Sequence, residues 1–192
     1  MPEKIILASQ SPRRKLLLEW AEVPFNVIVK PTDESYPQGL KIEDVPVHIA
    51  RNKALAVQTD PIYLNYEQVS TILAADTIVV LGEMIIGKPE NREHAIQILT
   101  QLSGKEHRVI TGVVIRKGDR EFSFAETTQV KFHPISQEQI EFYVDKYQPY
   151  DKAGAYAIQE WIGVVGIETI KGDFYNVMGL PVSKVVQYLQ NF

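Results

Sequence analysis

The 192-residue sequence contains no cysteine. This absence excludes disulfides, thiolate catalysis and cysteine-ligated metal sites, and it suits a reducing compartment. The four histidines show no ligand spacing, so surface or core roles are expected for them. A large net charge is also lacking: the value is −4, which argues against nucleic-acid binding through the overall field.

Long apolar runs are equally absent. No stretch approaches the roughly 20 apolar residues of a membrane span. The apolar run at residues 5–8 is too short for the apolar region of a signal peptide, and the charged residues Arg13 and Arg14 follow shortly after it. We therefore expect a cytoplasmic protein without a membrane partner. The hydrophobic fraction of 45% and the charged fraction of 23% are typical of one domain over residues 1–192 or of two closely joined lobes.

Predicted helices and strands alternate along the chain, which indicates the α/β class. Ser11, three residues after a short apolar strand, is expected to cap a helix whose first turn contains Pro12. Residues 136–139 fit a capping box. Strands are predicted over residues 4–8, 25–29, 71–81, 84–86, 109–116, 121–132 and 163–170. Further helices are predicted over residues 43–58, 91–102, from 136 onward, and 181–189.

The stretch "SQSPRRK" places three cations at the predicted start of a helix. Free N–H groups and the positive dipole end make such a position favour anions, so Arg13, Arg14 and Lys15 are disfavoured there unless an anion is bound. The hydroxyls of Ser9 and Ser11 add further donors. A phosphate chain would satisfy all of these groups. A solvated basic turn and a DNA-backbone clamp are the alternatives, and the acidic total weakens the second.

Two charged residues fall in otherwise apolar patterns. Asp76 lies midway in the predicted strand "TILAADTIVVL", where a buried carboxylate requires a cation, a metal or a raised pKa. A structural aspartate paired with backbone N–H groups or an arginine is the other interpretation. Lys53 lies on the apolar face of the predicted helix over residues 43–58. It either extends to solvent or points into a cleft.

Other segments carry weaker signals. "GEMIIGKP" is not a P-loop, because Pro89 replaces the required hydroxyl residue, so Lys88 is a single cation on a loop. Glu34 is a carboxylate in a polar loop. "DKAGAYAIQ", which contains Gln159, and "GDFYNVMGLP", which contains Asn176, are loops that could hold a base or a sugar. Together, scattered cations and a few carboxylates are what phosphoanhydride hydrolysis requires.

The ordered set of motifs resembles the Maf nucleotide pyrophosphatases, a family related to the inosine triphosphate pyrophosphatases. The motifs span nearly the whole chain. They are "LASQSPRR", "ARNKA", "AADTIVV", "GKP", "LSGKEHRVITGV", "DKAGAYAIQ" and "NVMGLP". The resemblance implies a mixed twisted sheet flanked by helices, in two lobes with an active-site cleft between them. It also implies cleavage of a nucleoside triphosphate to the monophosphate and pyrophosphate, a divalent Mg²⁺ or Mn²⁺ cofactor, a homodimer, and a role in arrest of septum formation and cell division.

The resemblance also implies roles for individual residues. Asp76 is the expected proton acceptor, and it is expected to share a metal ion with Glu34. The expected phosphate and cleft contacts are Ser9, Arg13, Arg14, Lys53 and Lys88. Three positions divide the family by substrate, and here they are Arg13, Thr77 and Gln159. That combination resembles the branch acting on dTTP and UTP. The 7-methyl-GTP branch instead has an aromatic residue at the position of Arg13.

A rival function uses the same residues. A nucleotide-binding regulator of cell division would bind a nucleoside triphosphate without cleaving it. Pyrophosphate release from UTP with metal separates the two functions. A DNA-binding function would instead predict steep salt dependence of duplex affinity, which one basic turn on an acidic protein does not favour.

Overall fold

The computed structural model describes residues 4–65 and 70–192, so the first three residues of the stretch analysed for a signal peptide lie outside the described residues. Seven strands are found in these ranges, and each predicted strand has a counterpart. The strands are β1 (Ile5–Leu7), β2 (Phe25–Val27), β3 (Ile72–Leu81), β4 (Met84–Ile86), β5 (Glu106–Lys117), β6 (Arg120–Phe132) and β7 (Ile167–Lys171).

Helices alternate with these strands, which confirms the α/β class. They are α1 (Pro12–Trp20), α2 (Val45–Gln58), α3 (Pro61–Leu64), α4 (Arg92–Leu102), α5 (Gln137–Tyr147), α6 (Trp161–Gly166), α7 (Phe174–Met178) and α8 (Val182–Gln190). Short 3-10 turns cover Ile42–Asp44 and Ala153–Ala155. Across residues 4–65 and 70–192, none of the helices has both the length and the apolar character needed to cross a membrane.

The seven strands form one mixed sheet in the order β2-β1-β3-β5-β6-β7, with β4 paired to β3. Strand β1 is parallel to both β2 and β3. The β3–β4 and β6–β7 pairs are antiparallel. The predicted pairing of residues 84–86 with β3 is confirmed, because Leu81 faces Met84 across a turn in which Gly82 has a φ of 60°.

The chain divides into two compact units. The first runs through Asp76 and also includes Thr111–Glu126 and Gly179–Phe192. The second comprises Thr77–Ile110 and Thr127–Met178. The predicted cleft and the assignment of residues 1–192 to a single domain stay predictions.

Helix α2 is seated directly on the backbone of β5 within the first unit. A Cβ atom added at Gly112 would lie 2.2 Å from the backbone nitrogen of Val47 and 2.3 Å from the carbonyl carbon of Pro46. The absence of a side chain at Gly112 therefore allows this close approach. The apolar residues buried around α2 and the strands beneath it are Ile6, Ala8, Ile28, Ala50, Ala54, Val57, Tyr63, Ile72, Ala74 and Val114.

Hydrogen bonds along α2 fasten it to the β5–β6 hairpin. Arg51 Nε donates to Glu121 Oε1 at 2.7 Å, near the middle of the helix. At its C-terminal end, Gln58 Nε2 donates to the carbonyl of Gly118 at 3.0 Å, and Arg116 Nε donates to Gln58 Oε1 at 2.6 Å. Lys53 lies between these two attachments along α2.

The second unit is built around α4 and α5, which pack against each other. The predicted apolar face of α4 is confirmed, and the predicted capping box at Ser136 and Gln139 is present at the start of α5. The buried residues of the two helices are Ala95, Ile98, Leu99, Leu102, Ile140, Tyr143 and Val144.

One predicted strand is partly wrong. Residues 163–170 were expected to be extended, but α6 continues to Gly166 and strand β7 begins only at Ile167. The N–H groups of Gly163 and Val164 both donate to the carbonyl of Glu160, which starts a helical turn. The β-branched residues Val164 and Val165 are exposed there. Local hydrogen bonding thus overrides their preference for strands.

Candidate functional site

The cationic stretch lies where β1 passes into α1. Ser11 occupies the N-cap position and Pro12 the first turn, as predicted. Within the described structure, however, the Ser11 side chain makes no capping hydrogen bond, so that part of the prediction is wrong. The Ser11 N–H instead donates to Ser9 Oγ at 3.3 Å. The helix start is therefore not closed by the hydroxyl of its own cap residue.

Arg14 ties this helix start to a distant segment of the same unit. Its Nη1 donates to Ser9 Oγ at 3.0 Å, and its Nε donates to the carbonyl of Gly179 at 2.8 Å. Burial lowers the pKa of the Arg14 guanidinium, an effect that the negative charges of Asp76 and Glu34 oppose. A guanidinium has five N–H donors, and these two bonds use two of them. Arg14 thus orients Ser9 as well as adding charge.

The Ser9 hydroxyl is oriented by these contacts. Both of its bonds from Ser11 and Arg14 are accepted by the oxygen, so neither uses the hydroxyl hydrogen. Ser9 is buried, with 7% of its surface exposed. Its O–H can therefore donate to an anion that approaches the start of α1.

Lys53 bridges two carboxylates. Its Nζ lies 2.6 Å from Asp76 Oδ1 and 2.9 Å from Glu34 Oε1. The side chains of Lys53 and Asp76 are only 18% and 14% exposed, whereas that of Glu34 is 50% exposed. Lys53 supplies the compensating cation that burial of Asp76 was expected to require, and its ammonium group is held by the two carboxylates.

The first unit therefore gathers six of the nine predicted site residues. Ser9 contacts Arg14, and Lys53 contacts Glu34 and Asp76. The charges of Arg13, Glu34 and Asp76 all act on Arg14. The first unit thus combines these cations and carboxylates with a helix start that the Ser11 side chain does not cap.

Thr77, Lys88 and Gln159 belong to the second unit. Thr77 is half-buried in β3, while Lys88 and Gln159 are exposed. The loops that carry the last two are joined, because the Gly154 N–H donates to the carbonyl of Gly87 at 3.1 Å. Gly154 also packs closely on Val79 of β3. That these three residues act in the same site as the other six stays a prediction.

Asn176 does not have the base-binding environment considered for its loop. It is fully buried in the short helix α7. Its Nδ2 donates to the carbonyl of Val109 at 3.1 Å and to Thr128 Oγ1 at 3.0 Å. Asn176 therefore links α7 to the strands of its own unit, a contact between distant segments that the local sequence does not reveal.

A core role is confirmed for His107. Its Nε2 lies 2.8 Å from the hydroxyl of Tyr156, and its ring packs against Phe132. Burial lowers the pKa of His107 to about 4, so the imidazole is neutral near pH 7.

The carboxylate oxygens of Glu34 and Asp76 are ligands of the type that Mg²⁺ or Mn²⁺ prefers. Among the described residues, no group of three or more His, Cys, Asp and Glu side chains could hold a metal ion alone. Mg²⁺ is commonly bound through one or two carboxylates together with substrate phosphates and water. Glu34 and Asp76 both contact Lys53, and that they hold a metal ion stays a prediction.

The fold and the site define a class of protein: an α/β protein with an anion-favouring helix start beside a lysine-bridged carboxylate pair. Residues 4–192 match the family model described as Maf-like protein. The chain belongs to this family.

Relatives cover most of the chain. The dTTP/UTP pyrophosphatase of Cytophaga hutchinsonii is 48% identical over 97% of this chain and 83% of its own length. The dTTP/UTP pyrophosphatase of Parabacteroides distasonis is 47% identical over 98% of this chain and 96% of its own length. The dTTP/UTP pyrophosphatase of Bacteroides thetaiotaomicron is 48% identical over 95% of this chain and 92% of its own length.

A solved structure, that of the Staphylococcus aureus Ham1 protein, is 15% identical and has a TM-score of 0.41. The match covers 68% of this chain and 72% of that one. A likeness at this level defines neither the activity nor the substrate of the chain.

Proposed function

We propose that this protein hydrolyses dTTP and UTP to the nucleoside monophosphate and pyrophosphate, as one catalytic domain over residues 1–192. The observation that carries the proposal is the Glu34–Lys53–Asp76 cluster in the same unit as the cationic start of α1. Three relatives at 47–48% identity over at least 95% of the chain are named for this activity, which supports the substrate class.

Asp76 is the proposed proton acceptor. Its carboxylate takes a proton from a water molecule whose oxygen attacks the α-phosphorus. The bond between the α-phosphorus and the bridging oxygen breaks, and pyrophosphate leaves. The contact with Lys53 orients Asp76 for this step. General-base catalysis of this kind contributes typically 10²–10⁴-fold.

The cations of the site stabilise the triphosphate and the leaving group. Arg13, Arg14, Lys53 and Lys88 offset the charge that develops on pyrophosphate, and Ser9 donates its hydroxyl hydrogen. A divalent cation held by Glu34 and Asp76 supplies further positive charge to the phosphate oxygens when bound. A homodimer and a role in arrest of cell division stay predictions that rest on the family resemblance.

The substrate preference provides the main test. Gln159 has an amide that both donates and accepts, which suits the imide edge of uracil or thymine, while Arg13 favours a compact pyrimidine over a methylated purine. We expect kcat/KM for dTTP and UTP to exceed that for CTP, ATP and 7-methyl-GTP by about 10-fold or more. Release of pyrophosphate, measured with product identification across the five nucleotides, checks this.

Replacing Arg13, Thr77 and Gln159 together should lower this preference more than any single replacement does. Equal rates of the unaltered protein on UTP and 7-methyl-GTP would contradict the substrate assignment and leave the pyrophosphatase activity standing. Tight UTP binding without pyrophosphate release would instead favour the non-catalytic regulator.

Lys53 should oppose metal binding in the nucleotide-free protein. Its ammonium already contacts one oxygen each of Glu34 and Asp76, so a cation that binds both oxygens must displace it. We expect Lys53→Met to tighten Mn²⁺ binding by about tenfold, because it removes from the carboxylate pair the positive charge that repels the metal ion. Calorimetric titration with Mn²⁺ and no nucleotide measures this directly.

Lys30→Met is the matched control, since Lys30 pairs with Asp60 at 3.5 Å in the same unit. It should leave Mn²⁺ affinity unchanged. An unchanged or weaker affinity in Lys53→Met would show that the metal does not use the position between Glu34 and Asp76.

A further inference from the structure

Gln159 follows a buried stretch and lies between two anchored residues. Tyr156, Ala157 and Ile158 are buried, whereas Gln159 is exposed. On its far side, the backbone N–H of Glu160 donates to the carbonyl of Ala157 at 3.1 Å, closing a turn around Gln159. The backbone position from which the Gln159 side chain extends therefore depends on how this turn is held.

The hydroxyl of Tyr143 fastens both ends of that turn. It donates to Glu160 Oε2 and accepts from the backbone N–H of Ala157 at 3.2 Å. Tyr143 is fully buried in α5, and α5 itself starts with a capping box. Helix α5 thus supports the turn through the hydroxyl oxygen of Tyr143.

Lys152 holds the same carboxylate from the other side. Its side chain is only 10% exposed, and its Nζ lies 3.7 Å from Glu160 Oε1 and 2.7 Å from Asp151 Oδ1. Each oxygen of Glu160 therefore has its own partner. Breaking either contact of this partly buried carboxylate would cost free energy, which favours a single arrangement of the turn.

The next turn leaves little room for adjustment. The N–H of Gly163 donates to the carbonyl of Glu160 at 2.9 Å, and a Cβ added at Gly163 would lie 1.8 Å from the carbonyl oxygen of Ile158. The chain on both sides of Gln159 is consequently packed against itself.

We propose that Tyr143 is a positioning residue for nucleotide selectivity, acting through Ala157 and Glu160 to aim the Gln159 amide. This inference rests on the proposed function of Gln159. Tyr143 does not itself contact the substrate. Its hydroxyl maintains the geometry in which the amide matches a uracil or thymine edge, and small displacements of such groups have large effects on discrimination.

The test compares the UTP-to-CTP ratio of kcat/KM in Tyr143→Phe and the unaltered protein. The two values come from one preparation, so the fraction of active protein cancels. We expect the ratio to fall about fivefold or more. Tyr63→Phe is the matched control: Tyr63 is also buried and its hydroxyl donates to the carbonyl of Ser70 at 2.8 Å, but it lies in the first unit. The UTP-to-CTP ratio of Tyr63→Phe should equal that of the unaltered protein, even if the replacement lowers the stability of the fold.

A double replacement distinguishes positioning from general loosening. Gln159→Ala should lower the UTP-to-CTP ratio. The double variant Gln159→Ala with Tyr143→Phe should show no further decrease, because both replacements abolish the same interaction with the base. If Tyr143→Phe does not fold, Glu160→Gln, which has a similar shape but loses the charge paired with Lys152, carries the same expectation.

The outcomes separate the two levels of the proposal. A normal ratio in Tyr143→Phe alongside a lowered ratio in Gln159→Ala overturns this inference alone. A normal ratio in Gln159→Ala overturns the assignment of Gln159 and this inference with it. If no pyrophosphate is released by any variant, the proposed hydrolysis fails, and the same comparison is made with dissociation constants for UTP and CTP.

Discussion

Replacing Asp76 by asparagine is expected to lower kcat for pyrophosphate release from UTP by about 10² or more. The amide cannot accept a proton at neutral pH, and it also removes one of the two negative charges beside Lys53. The fold should persist, because the asparagine oxygen can still accept the hydrogen bond that Lys53 Nζ donates over 2.6 Å. The measurement is kcat with saturating UTP and metal, together with thermal unfolding.

Asp145→Asn provides the matched control. Asp145 is also an ion-paired carboxylate, since it accepts two hydrogen bonds from Arg92, but it belongs to the second unit and is not predicted to take part in chemistry. Its replacement should leave kcat unchanged. Near-normal turnover of UTP by Asp76→Asn would remove Asp76 from the role of proton acceptor.

Replacing Gly112 by alanine is expected to lower the free energy of unfolding by about 3 kcal/mol. The new Cβ would lie 2.2 Å and 2.3 Å from backbone atoms of Val47 and Pro46, which cannot rotate away as a side chain does. The start of α2 would have to move off β5. Urea unfolding followed by circular dichroism measures the change through the transition midpoint.

Gly87→Ala is the corresponding control for this stability effect. A Cβ at Gly87 would have no atom within 4 Å, and its φ lies outside the left-handed region. Its midpoint should remain close to that of the unaltered protein. If Gly112→Ala were equally stable, the close seating of α2 on β5 would not be a constraint on this fold.

Local signals in the sequence predicted many of the secondary elements. The capping box of Ser136 and Gln139 and the apolar spacing of α4 depend only on residues a few positions apart, and both are confirmed. The error at residues 163–170 arises because two local preferences compete. Its β-branched residues favour a strand, but a helical turn forms where Gly163 fits against Ile158.

The candidate site could be predicted only in part. The residue types in "SQSPRRK" and "AADT" indicate anion binding and a carboxylate that needs a cation, without naming that cation. Lys53 is 23 positions from Asp76, and its choice between solvent and a cleft was open until the fold placed it beside two carboxylates. The role proposed for Tyr143 likewise depends on a contact with Glu160, 17 residues away.

By itself, the sequence determined the α/β class, most element positions and the ordered motifs of the Maf-like family, because periodicity, capping and residue chemistry act over short distances. Only the tertiary structure decided which charges meet. It paired Lys53 with Asp76 and Glu34, directed Arg14 to Ser9 and Gly179, and buried Asn176 against two strands. All of these contacts except the one between Arg14 and Ser9 join segments far apart in the chain. The free energy of burying a polar group depends on the partner that folding brings to it.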